Sequence, residues 1–298
     1  MISIIIPTFQ RAHILERAYL SVANQTFTDW ELLIIDDGSN DGTEELVKKW
    51  QEEDSRIFFF KRPIDRIKGA STCRNIGIEK AKGTYVAFLD SDDIWKSERL
   101  EKIWVFIREN IADGVYSGAV VNGTKGEFLR KSRVISEGES LFDFILKPDT
   151  FSQTSTLVVK KEVALKVKFN ESLTHHEDYD FFIRVGKFIN WKFYSGFDVI
   201  VDWKDNASRK LNYDNCLWFY NRYKSESNEQ GVRVQYLKYM VDDMVTRSNF
   251  SKRYFYEYKE LLMDEKVNFS KRQKFLFHYP VIFGMFNKIK RGVKGMIR

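Results

Sequence analysis

The sequence predicts an α/β fold, a mostly parallel sheet flanked by helices, followed by a helical extension. Three observations carry this reading. Over the first 90 residues, short β-branched runs alternate with stretches of helical period, the pattern of βαβ crossovers. Three of the runs end at Pro7-Thr8, Asp36-Asp37 and Asp90-Ser91-Asp92-Asp93, where a parallel sheet has its ligand crevice. From about Asn212 the pattern is helical and aromatic-rich to the end.

Each element has its own warrant. Ile2–Ile6 is an unbroken apolar run, as expected of a strand buried on both faces. Ala12 to Ala23 places Ile14, Leu15, Ala18, Tyr19 and Val22 on one helical face. Trp30–Ile35 is a second strand, and Asp41 to Gln51 a second helix that Ser39 or Asn40 can cap. Arg56–Phe60, Gly69 to Lys80 and Thr84–Leu89 read as strand, helix and strand. A helix over Ser97 to Asn110 follows the acidic cluster. Val115–Val121 and Glu127–Val134 read as strands about Asn122-Gly123, and Gly138 to Leu146 as a helix. Ser155–Val159 is a strand, Lys161–Val167 a short helix, and Asp178 to Phe188 an amphipathic helix. Trp191–Tyr194 and Val199–Trp203 are the last strands. The boundary is set near 210. Residues 1–95 and 96–210 are expected as two halves of the first domain, and 211–298 as a helical, basic region.

The 298 residues are 43% hydrophobic, enough for one large domain or one domain with an appendage. Cys73 and Cys216 form no C-x-x-C pattern, which argues against a zinc site or disulfide framework and for a reducing, cytosolic setting. No run reaches the roughly 18 apolar residues of a membrane span, and no leader pattern precedes Ile2. The net charge of +6 is uneven, because residues 251–298 carry 12 Lys/Arg against 4 Asp/Glu. That tail, with Lys288, Lys290, Arg291, Lys294 and Arg298 among apolar residues, suits an anionic membrane surface or a helix packed with its basic face in water. No nucleic-acid-binding module accompanies the charge.

Three carboxylates within Asp90-Ser91-Asp92-Asp93 repel one another unless a cation or donors hold them. Hard oxygen ligands suit Mg²⁺ or Mn²⁺ on a diphosphate. A solvated loop or helix cap is the plainer alternative, weakened by the second acidic strand end at Asp36-Asp37. Those acids can accept hydrogen bonds from a ribose or base edge, or simply shape the turn before the next helix. Glu177-Asp178 opens a helix, where a carboxylate can act as a general base. The helix N-terminus is expected to favour its ionised form.

Pro7-Thr8-Phe9, Gln25-Thr26-Phe27, Asp36 to Thr43, Arg74-Asn75-Ile76-Gly77 and Phe88 to Asp93 together resemble glycosyltransferase family 2, inverting enzymes of the GT-A fold. The likeness is close to about residue 100, looser to about 210, and then fades; it implies a nucleotide-binding half over 1–95 and an acceptor-binding half over 96–210. It implies an enzyme that moves a sugar from a nucleotide-sugar, a UDP-sugar, to a saccharide or lipid-linked saccharide in surface polysaccharide synthesis. Asp92 matches the metal-binding Asp of the family's D-x-D motif, and Asp90 and Ser91 its ribose side. Asp37 matches the acid that reads uracil, with Asp36 beside it. Pro7, Thr8, Phe9 and Arg11 match the first nucleotide loop. Arg74 and Asn75 lie on the helix that approaches the donor, and Arg74 reads equally as a salt bridge steadying the acidic loops. Asp178 matches the base, and Glu177 a ligand or positioner of the acceptor hydroxyl. The family's late His is absent. Asp205 is its replacement as metal ligand, with Lys204, Ser208 or Arg209 toward the diphosphate. Trp95 and His176 are acceptor-wall candidates. The resemblance also places the enzyme in the cytoplasm, peripheral on the inner membrane face. Two rivals are a non-catalytic nucleotide- or saccharide-binding module on a degenerate fold, and a nucleotidyltransferase, whose Gly-rich basic N-terminal loop is not seen.

Overall fold

The computed structural model describes residues 1–204, 211–246, 250–266 and 268–280. The chain folds as β1 (Ile2–Thr8), α1 (Ala12–Ala23), β2 (Trp30–Asp36), α2 (Thr43–Glu53), β3 (Ile57–Lys61), α3 (Ala70–Lys80) and β4 (Tyr85–Phe88). Next come β5 (Ile94–Trp95), α4 (Arg99–Asn110), β6 (Gly114–Ser117), β7 (Ala119–Gly123), β8 (Gly126–Arg130) and α5 (Leu141–Leu146). Then follow β9 (Val158–Lys160), α6 (Lys161–Val167), α7 (Glu177–Val185), β10 (Lys192–Tyr194) and β11 (Val199–Asp202). Helices α8 (Tyr213–Tyr223), α9 (Gln230–Thr246), α10 (Lys252–Asp264) and α11 (Lys271–His278) complete it. Two compact units result, Met1–Arg209 and Lys210–Arg298.

The first unit holds a seven-stranded sheet in the order β10-β6-β9-β4-β1-β2-β3. It is parallel except for β9, which runs against both β4 and β6. The chain steps from β1 outward to β2 and β3, then crosses to the other side of β1 for β4. The switch point therefore lies between β1 and β4, the place where such sheets bind ligands. β1 pairs with β2 as far as Thr8↔Asp36 but with β4 only to Ile5↔Phe88. Pro7 sits beyond the β4 ladder, so its missing N–H costs no bond to that strand. The chain after Phe88 is free to turn away and open a crevice.

Burial explains the elements. β1 and β2 are buried along their whole length, and Ile4, Ile6, Leu32 and Ile34 enter the main core with Leu15, Val22 and Val47 from α1 and α2. Tyr19 stacks on Trp50 at 4.1 Å, joining the two helices. The α2 helix starts at Thr43, and neither Ser39 nor Asn40 caps it. Gly42, left-handed at φ 88°, takes the N-cap position, while Asp41 accepts the Thr43 N–H. Ser39 instead accepts from the Gln10 N–H, and Asn40 from the Gln10 amide.

A second sheet of four strands has the order β5-β11-β7-β8. The expected single strand Val115–Val121 is in fact β6 and β7, which belong to different sheets. The break falls at Gly118. A Cβ there would lie 2.7 Å from the Phe197 ring and 2.8 Å from the Arg130 carbonyl oxygen. Apolar periodicity runs through such a bend without marking it. The Ser155 segment likewise begins as a 3-10 turn at Thr154–Thr156, and the strand starts only at Val158.

The second unit packs Phe219, Leu237, Met240, Phe255 and Leu262 among its helices. Buried tyrosine hydroxyls find partners: Tyr213 donates to Asp243 and Tyr258 to the Tyr213 carbonyl. No helix among the described residues is long and apolar enough to cross a membrane. The basic tail beyond Pro280 lies outside the described residues.

Replacing Gly118 with Ala should cost about 1–3 kcal/mol, because a backbone oxygen cannot yield as a side-chain tip does. Thermal unfolding of the variant, several degrees below wild type, is the measurement that checks it.

Candidate active site

A cleft of about 380 Å³ opens at the β1/β4 switch point. Pro7 and Arg11 line one side, Asp90 to Asp93 another, and His175 to Asp178 a third. Lys68, Gly69, Ala70 and Ser71, at the start of α3, bring positive charge and backbone N–H groups toward the same space. Strand ends about 80 residues apart in sequence and a helix start nearly 90 further on thus face one cavity.

Arg74 organises it. The side chain rises from α3 and is only 4% exposed. Its Nη2 donates to Asp90 Oδ1 at 2.6 Å, and its Nη1 stands 3.5 Å from Glu177 Oε1. Burial opposes its charge, but Asp90 and Glu177 outweigh that and hold the guanidinium protonated more firmly than usual. Asn75, next along α3, is spent differently. Its amide donates to the Phe169 carbonyl and accepts the Phe169 N–H, so it anchors the chain leading to α7 and does not line the cleft.

The acidic turn is pinned from behind by Ser155. Its hydroxyl accepts the Asp90 N–H at 3.0 Å and donates to Asp93 Oδ2 at 2.6 Å. Asp93 also accepts the Asp202 N–H. Burial, then the charges of Asp90 and Asp92, push the Asp93 carboxyl well above the usual range. Asp93 is therefore a structural post, while Asp90, Ser91 and Asp92 face the cleft. Asp92 lies 3.8 Å from Arg11 Nη2. Trp95 is buried, at 2% exposed, and donates its Nε1–H to the Ser155 carbonyl; it belongs to the core, not to an acceptor wall.

The nucleotide-loop residues are more recessed. Asp36 accepts from the Gly38 and Ser39 backbone and shapes its own turn. Asp37 is bound to the Arg62 guanidinium. Thr8 is buried. Phe9 is 39% exposed and carries Lys68 Nζ 3.6 Å above its ring.

At the third wall, His176 caps α7 in a left-handed conformation, φ 61°, and stacks on Tyr179. Burial, aided by His175, lowers its pKa to about 3, so the imidazole is neutral. Burial raises the Asp178 carboxyl to about 7, with Glu177 adding to the rise. The expected preference of the helix N-terminus for an ionised Asp178 is thus outweighed by desolvation and a neighbouring carboxylate. Asp180 is paired with Arg184 inside the helix. Lys204 donates its N–H to Asp202. Asp205, Ser208 and Arg209 lie outside the described residues.

Ser155 and Glu171 went unremarked in the sequence, and Trp203 stands there only as the end of the last strand and the start of the 203–209 stretch expected near the metal or diphosphate. Glu171 lines the cleft and binds Arg66 and Asn75; Trp203 lines it beside Asp202. Their partners lie tens of residues away, beyond the reach of any local pattern.

Comparison with known proteins agrees with this architecture. Residues 3–172 match the family described as glycosyl transferase family 2. An uncharacterized glycosyltransferase of Haemophilus influenzae is 33% identical over 61% of this chain and 70% of its own length. A UDP-Glc:alpha-D-GlcNAc-diphosphoundecaprenol beta-1,3-glucosyltransferase of Escherichia coli is 30% identical over 63% of this chain and 70% of its own. In fold, the chain resembles S. aureus TarS residues 1–349 solved with UDP-GlcNAc, at a TM-score of 0.65, 18% identity, and coverage of 96% of this chain and 88% of that one. The GT-A architecture with C-terminal helices is therefore the fold of this protein.

Replacing Arg74 with Met strips the countercharge from Asp90 and Glu177 together. Breaking such a buried pairing costs about 3–5 kcal/mol, toward the lower figure here because both carboxylates reach the cleft. Chemical denaturation should show that loss.

Proposed function

The chain belongs to glycosyltransferase family 2, and on that premise we propose an inverting, metal-dependent transfer of a sugar from a UDP-sugar to a saccharide or lipid-linked saccharide. One observation carries the reading. Asp178, its carboxyl raised to about 7, shares a single cleft with the Asp90–Asp92 turn. A base poised near the working pH is what proton removal from a sugar hydroxyl requires.

In this mechanism the ionised Asp178 takes the acceptor hydroxyl proton as that oxygen attacks the anomeric carbon. The new C–O bond forms on the face opposite the bond that breaks, and the nucleoside diphosphate departs with the bonding electron pair. Configuration inverts, giving a β linkage from an α-linked donor. Glu177, held toward Arg74, orients the acceptor hydroxyl. Arg11, Lys68 and the N–H groups opening α3 supply positive potential for the diphosphate.

Among the described residues no group of three or more His, Cys, Asp or Glu side chains is arranged to hold a metal. The hard oxygens of Asp92, with Asp90 nearby, nevertheless fit Mg²⁺ or Mn²⁺ of the kind bound by one or two carboxylates, with diphosphate and water completing the shell. Such an ion supplies neutralisation of the leaving group. Lys204 is a further diphosphate candidate. The E. coli relative's named undecaprenol-linked acceptor and the UDP-GlcNAc bound to the TarS neighbour support the substrate classes. A lipid-linked acceptor would bring the enzyme to the inner membrane face, with the basic tail as the contacting segment.

Asp178→Asn should lower kcat by about 10²–10⁴ while leaving UDP affinity intact. Because the deprotonated carboxyl is the active form, kcat/KM should rise with pH and level off above about 7. A profile flat from pH 5 to 8 would remove Asp178 from this role. Asp92→Ala, or chelation of divalent ions, should abolish transfer and weaken UDP binding; metal-independent turnover in a UDP-release assay would refute the metal requirement.

A further inference from the structure

At the Trp203 end of the cleft lies a cation that the transfer chemistry does not use. Arg130 closes β8, the outer strand of the four-stranded sheet. Its guanidinium carbon sits 5.5 Å from the centre of the Phe151 ring and 5.9 Å from that of Trp203. Those rings meet at 63°, so the guanidinium occupies the corner between them. Among the described residues no carboxylate pairs with Arg130, and its buried Nε has no hydrogen-bond partner. Ser152, beside Phe151 and buried, likewise has an unpartnered hydroxyl. Arg62, Arg66, Arg74, Arg133 and Arg184 of this unit each pair with a carboxylate, whereas Arg99, also without one, donates to the Ser155 and Thr156 carbonyls.

We propose that Arg130, with the Trp203 ring, forms an acceptor subsite for a sugar bearing an oxyanion, a phosphate or a carboxylate. The inference rests on the transferase reading and names the acceptor class for it. Two rings packed near the guanidinium restrain it, and a planar guanidinium can bind two oxygens at once, the geometry in which Arg surpasses Lys. Trp203 lines the cleft itself, and its ring offers a flat surface to the sugar. The cleft floor is rich in carboxylates, Asp90, Asp92, Glu177 and Asp178, which repel an anionic acceptor. A cation with no counter-ion among the described residues, packed on the Trp203 ring that lines the cleft, would offset that repulsion and draw the charged unit away from the reacting centre.

Three probes test the subsite on the full chain by calorimetry: maltotriose, maltotriose carrying one phosphate, and trigalacturonate. Wild type should bind at least one charged probe about 10–100-fold more tightly than maltotriose, the range of a charge-assisted hydrogen-bond pair. Arg130→Met keeps an apolar side chain against both rings and should erase the preference; Arg130→Lys should retain part of it. Loss confined to the phosphate probe identifies a phosphate acceptor, and loss confined to trigalacturonate a uronate. Wild type binding all three alike, or not at all, overturns the proposal, as does Arg130→Met weakening all three equally. UDP with Mg²⁺ is titrated in parallel. A chain that binds no UDP fails as a transferase, whereas one that binds UDP but ignores the charge fails only at this subsite.

Discussion

One guanidinium holds the cleft in shape. Arg74 reaches from α3 to the acid that follows β4 and to the acid that opens α7, two segments that would otherwise repel each other across the cavity. Removing a charge from water is costly, and carboxylates on two sides offset that cost for Arg74. The acids and the arginine therefore require one another. Neighbouring Asn75 clamps the backbone ahead of α7 by a reciprocal pair of hydrogen bonds to Phe169, so one turn of α3 sets both the charge and the position of the wall opposite the Asp90–Asp93 turn.

The sheet makes room for this arrangement. Because β1 outlasts its pairing with β4, the backbone beyond Phe88 leaves the ladder and delivers four polar residues into the gap. Burial raises the Asp93 carboxyl above its ordinary range, and Ser155 fixes the turn from the core side. Desolvation then separates the roles of acids that look alike in sequence: Asp93 is structural, and Asp178 is held near neutrality.

Much of this was legible beforehand. The βαβ rhythm, the acidic strand ends and the Glu177-Asp178 helix start depend on local spacing, which a sequence displays directly. The α/β class follows from them, and the GT-A fold from the resemblance of the combined motifs to glycosyltransferase family 2. The division of Val115–Val121 between two sheets did not, because Gly118 acts through contacts with Phe197 and Arg130 that are remote in sequence. Capping of α2 was misread since Gly42 adopts a left-handed backbone that displaces Ser39 and Asn40 from that task. Ser155 and Glu171 were invisible for the same reason as Gly118: each acts on a partner more than 60 residues away. The ionisation of Asp178 was misjudged because burial, which sequence does not report, outweighs the helix terminus.

The β7–β8 hairpin has a consequence of another kind. Its turn at Thr124-Lys125 projects from the rim of the smaller sheet, and β8 is exposed for nearly its full length. Extra residues inserted at that tip would lengthen the ribbon without disturbing the β1–β4 crevice, since loop extension there costs only slowly growing entropy. The hairpin is thus a natural graft point. Its length can be varied as a separable feature, leaving the β1–β4 crevice and its charge clamp untouched.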